Sequence, residues 1–103
     1  MPTIRGQLAL VTGSTSGIGL GIAEAFAAAG ANLLINGFGP ADEIADTRAR
    51  LAAQYGVEVL YDGADMSRAD AIESMVRGAI DRFGRLDILV NNAGIQQIGR
   101  AHV

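Results

Sequence analysis

The chain has 103 residues, half of them apolar, so it can form one small domain around a single hydrophobic core. A net charge of -3 without any cluster of Lys or Arg argues against nucleic acid or an anionic membrane as a partner. With no cysteine and one histidine, a disulfide framework is excluded and a bound metal is not expected. The sequence shows no secretory signal and no run of about 18 apolar residues, so we expect a cytoplasmic protein.

The first third of the chain predicts a strand, a turn, a helix and a second strand. Gln7 to Thr12 is a short apolar run that ends in a glycine-rich turn, which is typical of a buried strand. Gly17 to Ala29 then predicts a helix, because apolar residues recur at helical spacing. These apolar positions are Ile18, Ile22, Ala25, Phe26 and Ala29. Asn32 to Asn36 (NLLIN) predicts a second strand and completes a strand-helix-strand unit.

The rest of the chain repeats this alternation of helix and strand. Ala41 to Tyr55 predicts a helix with Ile44, Arg48 and Leu51 along one side, and Val57 to Tyr61 predicts a third strand. Ser67 is a suitable N-cap for a long helix that ends at Phe83. Its apolar stripe consists of Ile72, Met75, Val76, Ala79, Ile80 and Phe83. Leu86 to Asn91 predicts a fourth strand.

Alternating strands and helices predict a parallel sheet covered by helices on both faces, which is the doubly wound, Rossmann-type α/β fold. We expect four strands in the order 3-2-1-4, the N-terminal half of such a sheet. Ligands bind to these sheets at the carboxyl ends of the strands, where the strand order reverses between strands 1 and 4. Two glycine-containing segments fall there, one after strand 1 and one after strand 4.

The turn after strand 1 places Gly13, Gly17 and Gly19 between a strand and a helix. Gly13 permits a tight turn, Gly17 lets a phosphate approach the helix N-terminus, and Gly19 lets the helix pack closely. Glycines that merely punctuate a strand-helix junction are the alternative, but the complete strand-helix-strand context favours a dinucleotide site. No Gly-Lys-Ser/Thr follows, so the turn is not a P-loop of the Walker type.

Two motifs together resemble those of the short-chain dehydrogenase/reductase family: TGxxxGIG from Thr12 to Gly19, and NNAG from Asn91 to Gly94. The resemblance extends from Gln7 to about Gln97. Within the family, the stretches TGSTSGIGLGIA, NGFG, LAAQYGVEVLYDGADMS and DILVNNAGIQ are similar to bacterial D-3-hydroxybutyrate dehydrogenases. This implies an NAD-dependent oxidoreductase that interconverts 3-hydroxybutyrate and acetoacetate, a small 3-hydroxy acid as substrate, and a homotetramer. Another short-chain reductase, such as a 3-oxoacyl carrier protein reductase, and a non-catalytic dinucleotide-binding module are the alternatives.

The resemblance also implies roles for individual residues. The pyrophosphate and the adjacent ribose would be wrapped by Gly13, Ser14, Thr15, Ser16, Gly17, Ile18 and Gly19. The adenine would be flanked by Asp65 and Met66, and the nicotinamide side would be lined by Asn92, Ala93 and Gly94. Gln96 would help to hold the substrate carboxylate. From the residues alone, Asp65 also fits a favourable charge near a helix N-terminus, the asparagines fit a turn, and Gln96 fits a solvated position.

The end of strand 2 bears on the choice between NAD and NADP. Many NAD-dependent members of the family have an aspartate there for the ribose 2′-hydroxyl, whereas NADP-dependent members have a basic residue nearby. Here these positions are Gly37 and Phe38, so neither rule applies. Without a cation for the 2′-phosphate, we expect NAD. Phe38 either lies against the adenosine or packs under the turn.

The family's acid-base chemistry depends on a Tyr-x-x-x-Lys segment, and this chain contains no lysine. Tyr55 and Tyr61 are followed four positions later by Val59 and Asp65. The last six residues, from Ile98 to Val103, correspond to the translation of a widely used sequencing adapter. We therefore expect a partial cofactor-binding domain over residues 1–97 and a non-native tail over 98–103, in which His102 has no catalytic role.

The chain as given is expected to produce no NADH from 3-hydroxybutyrate, because it lacks the Tyr-x-x-x-Lys segment that exchanges the hydroxyl proton in the family. Absorbance of NADH in a reaction of the purified chain with NAD and 3-hydroxybutyrate measures this. Turnover above a blank without protein would contradict the prediction.

Overall fold

The computed structural model of the protein describes residues 4–92. Its four strands are β1 (Leu8–Val11), β2 (Asn32–Asn36), β3 (Val59–Asp62) and β4 (Ile88–Val90). Three helices connect them: α1 (Gly17–Ala28), α2 (Ala41–Tyr55) and α3 (Ala69–Phe83). All three strand pairings are parallel, and the strand order is β3-β2-β1-β4. The predicted doubly wound sheet and its strand order are confirmed.

The helices lie on both faces of the sheet and form two separate cores. Alternate side chains of β1 and β2 point to opposite faces, as the two-residue period of a strand requires. One core contains Ala9, Val11, Ala23, Ala27, Ala31, Leu33, Ile35, Leu51 and Val59. The other contains Leu8, Leu10, Leu34, Met75 and Ala79. Every residue of β1 is therefore buried, and β1 is the centre of the domain.

Helix α1 buries its small residues against the sheet, and the predicted apolar side of this helix is only partly correct. The buried positions are Gly19, Ala23 and Ala27, whereas Ile18 is 72% exposed. Ile22 and Phe26 pack at the edge of the core. A stripe of small residues allows helix and sheet to approach more closely than a stripe of large ones does. The glycine turn between β1 and α1 requires this close approach.

The start of α3 differs from the prediction. The helix begins at Ala69 with Arg68 as its N-cap, so Ser67 is not the cap. The hydroxyl of Ser67 instead donates a hydrogen bond of 2.7 Å to the Asp65 carboxylate, which also accepts the backbone N–H of Ser67. The aspartate thus organises a local turn before the helix, and the serine hydroxyl is directed to that turn.

The strands also have different ends from those predicted. β1 and β4 are shorter, and β3 begins two residues later and ends at Asp62. At the start of β4, the Asp87 carboxylate accepts the backbone N–H of Leu8 at 2.9 Å, so a side chain replaces one backbone acceptor of the sheet. β4 forms an edge of the described sheet, with Leu89 59% exposed. No helix between residues 4 and 92 is long and apolar enough to cross a bilayer.

Replacing Leu33 by alanine is expected to lower the free energy of unfolding by about 2–5 kcal/mol, because a fully buried side chain leaves a cavity in the core between the sheet, α1 and α2. The matched control is Leu89→Ala at the exposed edge, where the cost is expected to stay within about 0.5 kcal/mol. Urea denaturation followed by circular dichroism measures both. An equal loss of unfolding free energy in the two variants would contradict the prediction, because it would show that Leu89 on β4 is buried in solution.

Candidate dinucleotide-binding site

The glycine turn between β1 and α1 requires glycine for two different reasons. Gly13 and Gly17 have φ of +60° and +59°, in the left-handed region that other residues rarely adopt. At Gly19 the constraint is space, because a Cβ there would lie 2.0 Å from the carbonyl oxygen of Gly13 and 2.7 Å from Nδ2 of Asn92. The predicted tight turn at Gly13 and the close packing at Gly19 are both confirmed. A Cβ on Gly17 would meet no atom within 4 Å, so the space above this residue is open.

A buried pair of side chains, Ser14 and Asn36, fixes the turn to the end of β2. The Ser14 hydroxyl donates to the carbonyl of Val11 at 2.6 Å and accepts the backbone N–H of Asn36 at 3.0 Å. The backbone N–H of Ser14 in turn donates to the carbonyl of Asn36 at 2.6 Å. Ser14, predicted to wrap the pyrophosphate, therefore shapes the turn and presents neither its hydroxyl nor its N–H to a ligand.

The Asn36 side chain joins the turn to β3 as well. Its Oδ1 accepts the N–H of Gly13 at 3.2 Å, and its Nδ2 donates to the carbonyls of Asp62 and Ala64, each at 3.0 Å. Asn36 was not among the site residues predicted from the sequence. The only signal was a polar residue at the end of an apolar strand, and that position is equally typical of a turn.

The outer face of the turn is open. Ser16 is the N-cap of α1 without a side-chain cap bond, and Ser16, Gly17 and Ile18 are exposed. The first N–H groups of a helix have no partner within the helix, and the helix dipole there favours an anion. Thr15 is held by a hydrogen bond of 2.9 Å from its hydroxyl to the carbonyl of Phe38. These residues therefore form a surface suited to a phosphate group.

A cleft of about 230 Å³ adjoins this surface, between the glycine turn and α2. We call it the Phe38 cleft; it is lined by Thr15, Ser16, Phe38, Gly39, Pro40, Glu43, Ile44 and Thr47. The Phe38 side chain is 74% exposed, so the alternative that it packs under the turn is wrong. Among these lining residues the one charged group is the Glu43 carboxylate. Arg48 lines a neighbouring cleft with Ala45 and Tyr61.

Gly37, at the strand-end position that is an aspartate in many NAD-dependent members of the family, is constrained by its neighbours. It has φ of +147°, and a Cβ there would lie 2.6 Å from the hydroxyl oxygen of Thr15. Its carbonyl accepts a hydrogen bond of 2.5 Å from the Tyr61 hydroxyl. The side chain of a larger residue would therefore push the Thr15 hydroxyl away and break its hydrogen bond to the Phe38 carbonyl. The local backbone itself requires glycine.

The segment after β3 places Asp65 and Met66 at the same edge of the sheet. Asp65 is exposed, and its two hydrogen bonds from Ser67 hold the pKa of the carboxyl below its usual value. Met66 is half-buried against the core beneath α3. The carboxylate thus has a structural role as the hydrogen-bond acceptor of the turn before α3. Its contact with adenine stays a prediction.

The segment after β4 is tied to the glycine turn by Asn92. This side chain is 2% exposed, and its Nδ2 donates to the carbonyl of Gly13 at 3.1 Å. The Thr12 hydroxyl lies 3.3 Å from Oδ1 of Asn91. Ala93, Gly94 and Gln96, predicted to line the nicotinamide and to hold the substrate, lie outside the described residues. Within residues 4–92 no three His, Cys, Asp or Glu side chains are grouped to hold a metal ion.

The structure thus brings segments that follow all four strands to the carboxyl end of the sheet, and this arrangement defines a domain of the Rossmann type. The profile of the "short chain dehydrogenase" family matches residues 7–103. The chain belongs to the short-chain dehydrogenase family.

Two relatives are bacterial enzymes named D-beta-hydroxybutyrate dehydrogenase. The protein from Cupriavidus necator is 59% identical over 96 residues, which cover 92% of this chain and 36% of the relative. The protein from Rhizobium meliloti is 51% identical over 90 residues, which cover 87% of this chain and 35% of the relative. The chain therefore spans about a third of the length of the curated relatives it matches.

A solved structure with the same fold is that of L-sorbose reductase from Gluconobacter frateurii, determined in complex with NADPH and L-sorbose. It superposes with a TM-score of 0.80 at 38% identity, over 87% of this chain and 34% of the reductase. The likeness confirms the Rossmann-type fold. It also shows that the family includes proteins that bind NADPH, so membership alone does not select between the two cofactors.

Replacing Gly19 by alanine is expected to lower the free energy of unfolding by about 1–3 kcal/mol, because the new methyl group must displace the Gly13 carbonyl or the Asn92 amide. Gly21→Ala is the matched control, since Gly21 lies in the same helix and a Cβ there meets no atom within 4 Å. The control is expected to raise stability by about 0.5–1 kcal/mol. Urea denaturation of both variants measures the difference, and stabilisation by Gly19→Ala would disprove the close contact.

Proposed function

We propose that this chain is the cofactor-binding N-terminal part of an NAD-dependent dehydrogenase whose substrate is a small 3-hydroxy acid such as 3-hydroxybutyrate. The observation that carries the proposal is the glycine turn, with an open helix N-terminus, in a chain 59% identical to a D-beta-hydroxybutyrate dehydrogenase. When bound, the nicotinamide would accept a hydride from the substrate carbon. The groups that move the proton would come from chain beyond this segment.

The residues of this chain would bind and orient the cofactor. Space above Gly17 and the first N–H groups of α1 suit the pyrophosphate. The exposed ring of Phe38 offers an apolar face to the adenosine at the edge of the Phe38 cleft. Asn92 would hold the end of the described segment after β4 against the turn. Ala93 and Gly94 are proposed to line the nicotinamide, and Gln96 to hold the substrate carboxylate.

Charge in the Phe38 cleft supports NAD as the cofactor. A 2′-phosphate entering this cleft would approach the Glu43 carboxylate, and the cleft lining includes no basic side chain to neutralise it. NAD, which has a hydroxyl at that position, avoids the repulsion. The Glu43 carboxylate thus helps to select NAD over NADP, as a strand-end aspartate does in other members of the family. It differs in that it lies on α2 and not at the end of β2.

The assembly and the cellular place of the whole enzyme are part of the same proposal. We infer a homotetramer in the cytoplasm, as the resemblance to hydroxybutyrate dehydrogenases implies. The exposed Leu89 on the edge strand β4 supports a need for further covering elements on that side of the sheet.

Fluorescence titration of the chain with NADH and with NADPH tests the cofactor assignment. NADH is expected to bind at least about tenfold more tightly. Glu43→Gln is expected to reduce the preference for NADH over NADPH by about threefold to tenfold, because the negative charge that repels the 2′-phosphate is removed. Asp42→Asn, in the same first turn of α2 but outside the cleft lining, is the control and is expected to change the preference by less than about twofold.

Two results would contradict the assignment. Tighter binding of NADPH would favour another short-chain reductase, such as a 3-oxoacyl carrier protein reductase. Binding of neither cofactor by a chain that circular dichroism shows to be folded would overturn the proposed function itself.

A further inference from the structure

The side chain of Asn36 contacts two segments of the proposed site, the glycine turn and the segment after β3. In the sequence, Asn36 also directly precedes a third segment, the one after β2. Its Oδ1 accepts the N–H of Gly13 in the pyrophosphate turn, at 3.2 Å. Its Nδ2 donates to the carbonyls of Asp62 and Ala64, which lead into the adenine-side residue Asp65. Along the chain, Asn36 directly precedes Gly37 and Phe38.

The chemistry of an amide is needed at this position. Asn36 is 1% exposed, so water cannot replace a lost partner. Both hydrogens of Nδ2 are used by two different carbonyls, and the oxygen is used by an N–H group. A hydroxyl would be too short to reach all three groups, and a carboxylate would offer no donor.

We propose that Asn36 is a positioning residue for the dinucleotide: its amide holds the glycine turn and the segment after β3 in one fixed geometry. The pyrophosphate surface and the adenine surface are then presented together, without rearrangement when the cofactor binds. This inference rests on the proposed cofactor binding, and it assigns to Asn36 no contact with the cofactor itself.

Asn32 provides a control for the added negative charge, because it lies on the same strand and its aspartate variant keeps the acceptor oxygen. Its Oδ1 accepts the N–H of Glu58 at 3.0 Å, which also joins β2 to β3. However, Asn32 lies at the opposite end of β2, far along the strand from the glycine turn. Asn32→Asp therefore adds the same charge to β2 without removing a donor of these bonds, whereas Asn36→Asp removes the donor of two.

Asn36→Asp is the variant that separates the two roles, since it preserves shape and replaces Nδ2 by an oxygen. The carboxylate repels the carbonyls of Asp62 and Ala64, whereas the protonated acid restores one donor. Burial and these carbonyls keep the acid protonated to a higher pH than usual, so the defect should appear as the pH rises.

The charged groups around Asn36 would also raise the pKa of an aspartate at this position. From β3 and the segment after it, the ionisable neighbours are the acids Asp62 and Asp65 and the phenol of Tyr61. Residues 8–19, covering β1 and the glycine turn, contain no ionisable side chain. The only ionisable group on α1 is Glu24, which is paired with Arg50 and Tyr55.

Calorimetric titration with ADP-ribose is the test, because this probe contains both adenine and pyrophosphate and is stable in mild acid. At about pH 8, Asn36→Asp is expected to weaken binding by at least about tenfold relative to the unmodified chain. At about pH 5.5 the difference is expected to fall to within about threefold. Asn32→Asp is expected to bind within about twofold of the unmodified chain at both values of pH, whatever its melting temperature.

The proposal is overturned if Asn36→Asp binds ADP-ribose as the unmodified chain does at about pH 8, or if Asn32→Asp loses as much affinity. Failure of the unmodified chain to bind ADP-ribose is a different result, which removes the proposed function and this inference with it.

A second measurement covers the case in which the variant does not fold on its own. Residues 7–92 replace the matching segment of the Cupriavidus necator relative, and the steady-state kinetics of this chimera are measured. Asn36→Asp is expected to raise KM for NAD about tenfold at pH 8 and to leave kcat within about twofold. A loss of kcat at unchanged KM, or an inactive variant at both values of pH, would contradict the positioning role.

Discussion

The buried hydrogen bonds between Ser14 and Asn36 are the constraint on which the rest of the site depends. They join β1 and β2 at the edge where both strands end, and they continue through the Asn36 amide to β3. Polar groups this deeply buried are tolerated only when they are fully paired, and every buried side-chain polar atom among the described residues has a partner. The price of this arrangement is sensitivity, because a change to one member leaves the others unpaired.

The close approach of α1 to the sheet is the second constraint, and it acts together with the first. Gly19 lies against the Gly13 carbonyl, and that carbonyl accepts the Asn92 amide from the end of β4. The turn is therefore held from β2 on one side and from β4 on the other. As a result, the open N–H groups at the start of α1 stand on a rigid support, which lowers the entropy lost when an anion binds.

The sequence was sufficient to predict features that depend on local pattern. The strand order followed from the alternation of strands and helices along the chain. The conformational need for Gly13 and the packing at Gly19 followed from one strand-turn-helix motif. Asn36 was missed because its partners lie 22 to 28 positions away in the chain, and no local pattern reports them. The buried face of α1 was misjudged because large apolar residues dominate a periodicity that, in this helix, is set by small ones. Ser67 was misplaced because Asp65 competes for its hydroxyl, and single-residue preferences do not describe such competition.

The central position of β1 has a consequence for synthesis of the chain on the ribosome. Its neighbour β2 follows after one helix, but its other neighbour is β4, where Ala9 pairs with Ile88. Until β4 has emerged from the ribosome, one edge of β1 stays unpaired, and β1 has no polar face. The nascent domain is therefore most prone to association with other chains in this interval, and rapid docking of β4 ends the exposure.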